Sequence, residues 1–289
     1  MHKFLRTIGF SDIRRKDLEI ILQDIIDQPD LKKITRDSEG NEFAEFSREY
    51  APDMGIRVCG TYEEDDTFHM EYYFPYVSTD NMTTDEQVEI QKHAEKESYA
   101  GICDDIHLGI TLIFFVQNVA DYLSENYFHK SGFYNGAALS ALSTEGKILF
   151  PIMKRPDKEK SSEYKRRERN QLIAEAREGN EEAIESLTLE DMDTYSILSR
   201  RIIREDVLSI VSNYFMPYGI ESDQYSILGD ILDYYYTENA LTKERICRMK
   251  IECNELTYDV SINEKDLLGQ PAVGRRFKGN VWMQGTVCL

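Results

Sequence analysis

The sequence predicts an α+β protein with two mixed or antiparallel sheet units and a helical segment between them. Segments rich in β-branched and aromatic residues occur on both sides of a central stretch, and Gly, Pro and Asn separate them. The central stretch instead carries charged residues and helix-capping residues. With 289 residues, of which 41% are hydrophobic, the chain is long enough to bury a substantial core.

A first amphipathic helix is predicted after Ser11, because Ser often caps helices and the apolar residues that follow mostly repeat at helical spacing. Pro29 follows the expected end of this helix. Four strand-like pieces lie between Leu31 and Val77, and short polar sequences separate them. This pattern predicts an antiparallel meander.

The next part of the chain is predicted to hold a surface connection, a buried strand and a hairpin. Residues 78–105 are polar and predict a long connection with a short helix around Asp85 to Glu97. The apolar run Ile110 to Val116 leads into a helical pattern, which predicts a buried strand that feeds a helix. Two strand-like pieces then flank Ser143 to Gly146, and the glycine favours a hairpin turn between them.

Composition changes at Lys154, because residues 154–170 hold eight basic and four acidic side chains. This segment predicts a linker and the start of a helix. Gly179 and Asn180 are expected to end that helix and to cap a second one. Thr188 is expected to begin a third helix that reaches about Arg204.

The remainder of the chain predicts mainly strands. Residues 206–214 and 225–236 also fit a helix, and the final segment predicts a closing pair of strands with bends at glycines. We therefore expect an acidic α+β unit over 1–153, a basic helical connection over 154–205 and a strand-rich unit over 206–289. One compact domain overall is the alternative.

The formal net charge of −19 argues against a general affinity for nucleic acid or for anionic membranes. The acid is concentrated, since residues 37–105 contain nineteen Asp or Glu and four Lys or Arg. The N-terminus lacks the apolar run of a secretion signal, and the five cysteines show no clustered spacing. These features favour the cytoplasm.

Several longer strings resemble an uncharacterised bacterial family, a domain of unknown function found in anaerobic Gram-positive organisms. They are GNEEAIESLTLEDMDTYSILSRRI, YFMPYGIESDQYSILGDI and GRRFKGNVWMQG, and the opening MHKFLRTIGFS fits the same family. The resemblance spans most of the chain. It implies a cytoplasmic bacterial protein and transfers no catalytic residue.

One candidate metal site combines two predicted strands. His69 and Glu71 are expected on one face of the first strand, and Asp105 and His107 on one face of the second. If the strands are neighbours, these side chains could bind Mn²⁺, Fe²⁺ or Zn²⁺. The alternative is that the histidines are ordinary strand residues, and no other cofactor is predicted.

A candidate anion site lies in the string GRRFKG near the C-terminus. Arg275, Arg276 and Lys278 provide three cations, and the flanking glycines allow a ligand to approach the backbone closely. Alternation along a strand would place Arg275 on one side and the other two cations on the opposite side. A polar strand with Phe277 in the core is the simpler alternative.

A candidate interaction segment is the basic stretch, with its cations concentrated at Lys165, Arg166, Arg167 and Arg169. The acidic unit could contact this segment within one chain or in a second copy. A solvated, salt-bridged helix is the alternative. Nucleic acid is disfavoured, because no aromatic residues alternate with these cations as in known modules.

The sequence contains no nucleophile elbow, no phosphate-binding loop and no dinucleotide fingerprint. We therefore expect a non-catalytic interaction or regulatory module that binds a protein partner or itself through acidic and basic surfaces. The alternative is an enzyme that depends on a metal or binds phosphate, using the His and carboxylate cluster or the GRRFKG strand.

Overall fold

The structure is a computed structural model, and two sheets dominate its architecture. It describes residues 1–93, 96–105, 108, 110–128, 133–152, 168–169, 171–176, 179–189, 192, 207–220 and 222–289.

The first sheet is an antiparallel meander of four strands in sequence order. Its strands are β1 (Leu31–Arg36), β2 (Glu42–Ala51), β3 (Met54–Tyr62) and β4 (Phe68–Val77). The four strand-like pieces of the sequence correspond to these strands, so the predicted meander is confirmed. The inner strands β2 and β3 carry most of the buried residues, because β1 lies at an exposed edge.

The second sheet has ten strands and mixes parallel with antiparallel pairs. The strands are β5 (Thr84–Lys92), β6 (Tyr99–Cys103), β7 (Leu112–Val116), β8 (Phe133–Leu149), β9 (Tyr214–Pro217), β10 (Gln224–Glu238), β11 (Arg245–Cys253), β12 (Leu256–Asn263), β13 (Leu267–Leu268) and β14 (Arg276–Val287). The α+β class and the mixed or antiparallel sheets are therefore confirmed, with β-structure dominating.

The strand pairings of the second sheet close two circuits that share one ladder. The shared ladder is the antiparallel pair β8–β14, which runs from Ala137 opposite Val287 to Leu149 opposite Arg276. One circuit continues through β10, β11 and β12, and the other continues through β5, β6 and β7. Each circuit has five strands. Because each circuit closes on itself, every strand in it has a hydrogen-bonded neighbour on both sides.

The second sheet combines strands from both halves of the chain. Strands β5–β8 precede residue 154 and strands β9–β14 follow residue 205, yet they form one sheet. The predicted boundary at residue 153 therefore does not coincide with the division between the two sheets. That division lies between β4 and β5.

The helices are short and lie outside the sheets. A 3₁₀ helix spans Lys3–Ile8, α1 spans Arg15–Asp27, α2 spans Val119–Phe128 and a further short helix spans Val207–Ile210. In the described ranges no helix has both the length and the apolar character needed to cross a membrane. Helix α1 confirms the predicted first helix, although it begins after Arg14 and not after Ser11.

The described parts of the central segment contain helical residues at 171–176 and 181–189. Gly179 has a φ of 89°, and Asn180 Oδ1 accepts from the backbone N–H groups of Glu182 and Ala183. The predicted stop and cap are therefore confirmed. The predicted third helix lies largely outside the described residues.

The polar stretch 78–105 was expected to be a surface connection with a helix, and this prediction was wrong. It contains β5 and β6, and β5 pairs with β6 on one edge and β8 on the other. These partners satisfy its backbone, while most of its charged side chains remain exposed. The many charges therefore obscured a strand whose buried positions include Thr84 and Val88.

The hairpin predicted around Ser143 to Gly146 is also wrong, because β8 continues through it. The ladder to β14 shifts register here, so Thr144 is an extra residue of a β-bulge. Ser143 Oγ lies within hydrogen-bond distance of Glu145 O and Asn280 O. The turn-like sequence thus marks a bulge inside one long strand.

The prediction of a closing pair of strands in the final segment was wrong, because the structure has the single strand β14 there. Two of its glycines are required by close packing and not by bends. A Cβ at Gly285 would lie 2.6 Å from Phe114, and a Cβ at Gly279 would lie 2.6 Å from Phe277. The residues 225–236, which fitted either a strand or a helix, lie in β10.

Candidate functional site

A cluster of exposed acidic residues lies at one end of the four-stranded sheet, where two turns meet. We define the acidic end as the exposed residues Glu39 and Glu42 at the β1–β2 turn and Glu63, Glu64, Asp65 and Asp66 at the β3–β4 turn. Alternate turns of an antiparallel meander lie at the same end. An open hollow of about 520 Å³ joins the turns, since Asn41 and residues 61–65 line it.

Local hydrogen bonds fix both turns of the acidic end. Asp37 Oδ1 accepts from the backbone N–H groups of Glu39 and Asn41. In the second turn, Asp65 Oδ1 accepts from the N–H of Thr67 at 3.0 Å, and hydrogen bonding to Thr67 lowers the pKa of Asp65. Asp66 adopts a φ of 63°, a conformation that Asp tolerates. The carboxylates therefore project from ordered turns.

None of the six carboxylates of the acidic end forms an ion pair with a described cation. The cations of the neighbouring edge strand make other contacts. Lys32 Nζ donates to Tyr62 Oη at 3.0 Å, and Arg36 Nη1 donates to the Gly40 carbonyl at 3.4 Å. The acidic end is thus a cluster of exposed negative charges.

The structure describes three of the four predicted metal-binding residues, and it does not place these three on one sheet. His69 is exposed on β4, and Glu71 is an extra residue in the β3–β4 ladder, which interrupts the period-two rule between them. Asp105 follows β6 in the second sheet, and it is buried and accepts from Thr84 Oγ1 at 2.7 Å. His107 lies outside the described residues. The described residues contain no group of three metal-ligating side chains.

The predicted anion-binding cations do not converge. Arg276 is buried and donates to three carbonyls, those of Phe150, Leu208 and Val211, at 2.9–3.0 Å. These bonds hold the short helix Val207–Ile210 against β14. Arg275 donates to the Gln270 carbonyl at 2.8 Å and lies over the Phe150 ring. Of the three side chains, only that of Lys278 has no hydrogen bond or ion pair with the residues that the structure describes.

The predicted interaction residues Lys165, Arg166 and Arg167 lie outside the described residues. Arg169 is described as a half-buried helical residue. The prediction for this basic segment therefore remains a prediction.

Four cysteines are buried thiols. Burial raises the pKa of Cys103 to about 11 and the pKa values of Cys247 and Cys253 to about 12. Burial also raises the pKa of Cys59 well above its ordinary value. Because a thiolate is the reactive form, these four side chains are unsuited to nucleophilic roles at neutral pH.

An open cleft of about 660 Å³ was not found from the sequence. Its lining comes from four separate parts of the chain, namely residues 1–4, His93, residues 220 and 222–224, and Trp282. Trp282 is buried in the wall, where its ring centroid lies 4.8 Å from that of His2 and 5.2 Å from that of Phe4. Its Nε1 donates to Asp223 Oδ2 at 2.7 Å.

His2 connects the two sheets beside this cleft. Its backbone N–H donates to Tyr73 Oη of β4 at 3.1 Å, and its ring contacts Trp282 of β14. Burial, followed by the charge of Lys3, lowers the pKa of His2 to about 4. The imidazole is therefore neutral at pH 7. Only the single Trp of the chain could have drawn attention to this region from sequence.

Comparison with known proteins gives one result. No curated protein and no solved structure shows a significant match to the chain. A family model described as "Domain of unknown function, E. rectale Gene description (DUF3881)" matches residues 5–285. The match covers nearly the whole chain and agrees with the resemblance of the strings noted in the sequence. The chain therefore belongs to the DUF3881 family of domains of unknown function.

Proposed function

We propose that this protein is a non-catalytic interaction or regulatory module that binds a cationic polypeptide segment through its acidic end. The observation that supports this most strongly is the set of six exposed carboxylates on two adjoining ordered turns, none of them paired with a described cation. Other acidic side chains of the molecule, such as Asp266 and Glu244, are paired with cations.

Electrostatics gives such a surface a preference for positive partners. Exposed like charges repel one another, and a cationic segment relieves that repulsion while gaining favourable contacts. The interaction should weaken as salt increases, because the screening length falls from roughly 30 Å at 0.01 M to about 10 Å at 0.1 M ionic strength. Salt dependence is thus the property that identifies this mode of binding.

The chain itself supplies a suitable partner. Residues 154–170 carry eight basic and four acidic side chains, a net charge of +4. In the proposal this segment binds the acidic end of the same chain or of a second copy. We expect this to occur in the cytoplasm, where the buried thiols would remain reduced.

Light scattering and X-ray scattering across a salt series test the proposal. Contacts between copies predict a mass that falls between about 50 mM and about 500 mM salt, and contacts within one chain predict a radius of gyration that rises. The triple variant E63Q/E64Q/D65N should show neither change. The matched control D80N/D85N/E89Q, which removes the same charge from other exposed positions, should behave as the wild type.

A synthetic peptide of residues 154–170 gives a second measurement. Isothermal titration calorimetry should detect salt-dependent binding to the control variant and none to E63Q/E64Q/D65N. A mass and radius that do not change with salt, together with equal peptide binding by both variants, would contradict the proposal.

A further inference from the structure

The shared ladder of the two circuits brings together two lysines that are far apart in sequence. Lys147 of β8 and Lys278 of β14 are direct partners in the antiparallel register. Directly opposite residues on one face of such a pair have Cβ atoms about 4.5–5.5 Å apart. Like charges at this position repel each other, so an opposed lysine pair without a counterion is unfavourable.

The residues that lie beside the two lysines on the neighbouring strands are apolar and provide no counterion. Lys278 is flanked by Leu228 of β10, and Lys147 is flanked by Leu268 of β13. Neither ammonium group makes a hydrogen bond or an ion pair with another residue of the described chain. Both side chains are at least partly accessible to solvent.

The charged residues two positions away from the lysines along β8 and β14 already have hydrogen-bond partners. On one side, Asn280 Nδ2 donates to Glu145 Oε1. On the other side, the Arg276 guanidinium donates to three carbonyls, and Asp230 lies opposite Arg276 on β10. Glu145 is the only acidic residue among the described residues that line the hollow at the lysine pair.

The lysine pair borders an open hollow of about 200 Å³. Its other lining residues are Glu145, Gly146, Leu268, Gly279 and Asn280. Gly146 and Gly279 are also direct register partners, and any Cβ there would meet Phe277 at 2.4 Å or 2.6 Å. Because side chains alternate along a strand, the space that these glycines leave lies on the Phe277 side, opposite the lysines, and the row beside the lysines presents backbone to the hollow.

From this geometry we infer that the hollow binds the phosphoryl group of a small phosphorylated molecule between Lys147 and Lys278. A dianion neutralises both ammonium groups, and its oxygens accept charge-assisted hydrogen bonds from both. The exposed Leu268 side chain provides an apolar contact for the rest of the ligand. Asn280 also lines the hollow, where its amide donates to Glu145 Oε1.

This inference rests on different residues from the acidic end. It retains Lys278 from the anion site expected from sequence but replaces the two arginines with Lys147. Sequence spacing could not reveal this pair, because only the β8–β14 register makes the lysines neighbours.

Calorimetric titration of the full chain at constant ionic strength tests the inference, with inorganic phosphate and glycerol 3-phosphate as ligands and chloride as the balancing salt. Both ligands should bind, and glycerol 3-phosphate should bind at least as tightly as phosphate. Either K147Q or K278Q should weaken both by about tenfold or more. K250Q, which removes a half-buried lysine from β11, should leave both affinities unchanged.

A charge reversal gives an independent readout. K147E should abolish phosphate binding and raise the thermal unfolding midpoint without ligand, because the new carboxylate takes the place of the anion beside Lys278. Failure of phosphate to bind the wild type, or equal binding by wild type and both single variants, would overturn the inference. Binding of phosphate but not of glycerol 3-phosphate would overturn the assignment to a phosphorylated molecule.

Discussion

The charged groups between the two sheets and those at the acidic end are arranged in opposite ways. Between the sheets, Arg248 of β11 is buried and reaches Asp259 at 2.9 Å, Asp53 at 3.2 Å and the Ser78 carbonyl at 2.6 Å. At the acidic end, six exposed carboxylates have no cationic partner in the described chain. We call the region around Arg248, between the two sheets, the junction.

The junction also contains the buried side-chain amides of two glutamines. Gln117 Nε2 donates to the Val77 carbonyl and to Gln284 Oε1, and Gln284 Nε2 donates to the Pro75 carbonyl. Such pairing stabilises the fold, because a buried polar group without a partner loses its hydration without compensation. Charge at the junction is therefore engaged within the fold, whereas charge at the acidic end has no cationic partner among the described residues.

The largest expected effect is the loss of Arg248. Arg248→Met should lower the free energy of unfolding by about 5 kcal/mol, because it leaves Asp259 buried without its partner. Urea unfolding measures the change. Arg245→Gln on the same strand breaks the exposed pair with Glu264 and the contact with the Tyr236 ring, and it should cost about 1 kcal/mol. Equal costs for the two variants would remove the contrast between buried and exposed pairs.

The second buried pair of the junction is less completely bonded. Arg57 Nη1 lies 3.2 Å from Glu45 Oε1 and donates to the Gln117 carbonyl, but Arg57 Nε and Glu45 Oε2 are buried without partners. Arg57→Met should cost about 3 kcal/mol, and adding Glu45→Met should recover most of it, since two apolar residues replace an incompletely satisfied pair. A double variant no more stable than the single one would contradict this expectation.

His2 should make the junction sensitive to acid. Its pKa is lowered to about 4 in the folded protein from an ordinary value of 6.5, so the unfolded chain takes up a proton first as the pH falls. The contribution of neutral His2 is complete above about pH 6.5 and is lost as the pH falls towards about 4. Between these limits the wild type should lose on the order of 2 kcal/mol more than His2→Gln does.

Urea unfolding across this pH range measures that difference. His93→Gln is the matched control, because His93 lines the same cleft but is exposed. It should retain the pH dependence of the wild type. Parallel pH curves for the wild type and His2→Gln would show that His2 does not contribute.

The smallest effect is expected at the acidic end. Glu63→Gln together with Glu64→Gln should change the free energy of unfolding by less than about 0.5 kcal/mol, with a slight gain at low salt as repulsion falls. Asp266→Asn, which removes the partner of Arg6, should instead cost about 1 kcal/mol. A large loss of stability in the Glu63 and Glu64 variant would mean that this surface serves the fold.

Sequence reasoning succeeded where the determinants were local. The apolar spacing of α1, the turns of the first sheet and the Gly179–Asn180 cap are encoded within a few residues of where they act. It failed where distant partners decide the outcome. Only pairing with β8 and β6 makes β5 a strand, and only pairing with β14 turns the sequence around Thr144 into a bulge.

The same limit applies to the candidate sites. A run of cations in GRRFKG was visible, but the carbonyls that engage Arg276 come from residues 150, 208 and 211. The run of four acidic residues at 63–66 can be read directly from the sequence, but residues 39–42 become part of the same surface only through the meander.

The shared β8–β14 ladder also constrains how the protein is made. β14 follows every other strand in chain order, yet both circuits need it for closure. During synthesis from the N-terminus, the four-stranded sheet can pair its neighbouring strands early, whereas neither circuit of the ten-stranded sheet can close until β14 has left the ribosome. Until then the free edges of β7, β8 and β10 would be exposed to other nascent chains, which makes this interval the one in which chaperones are most needed.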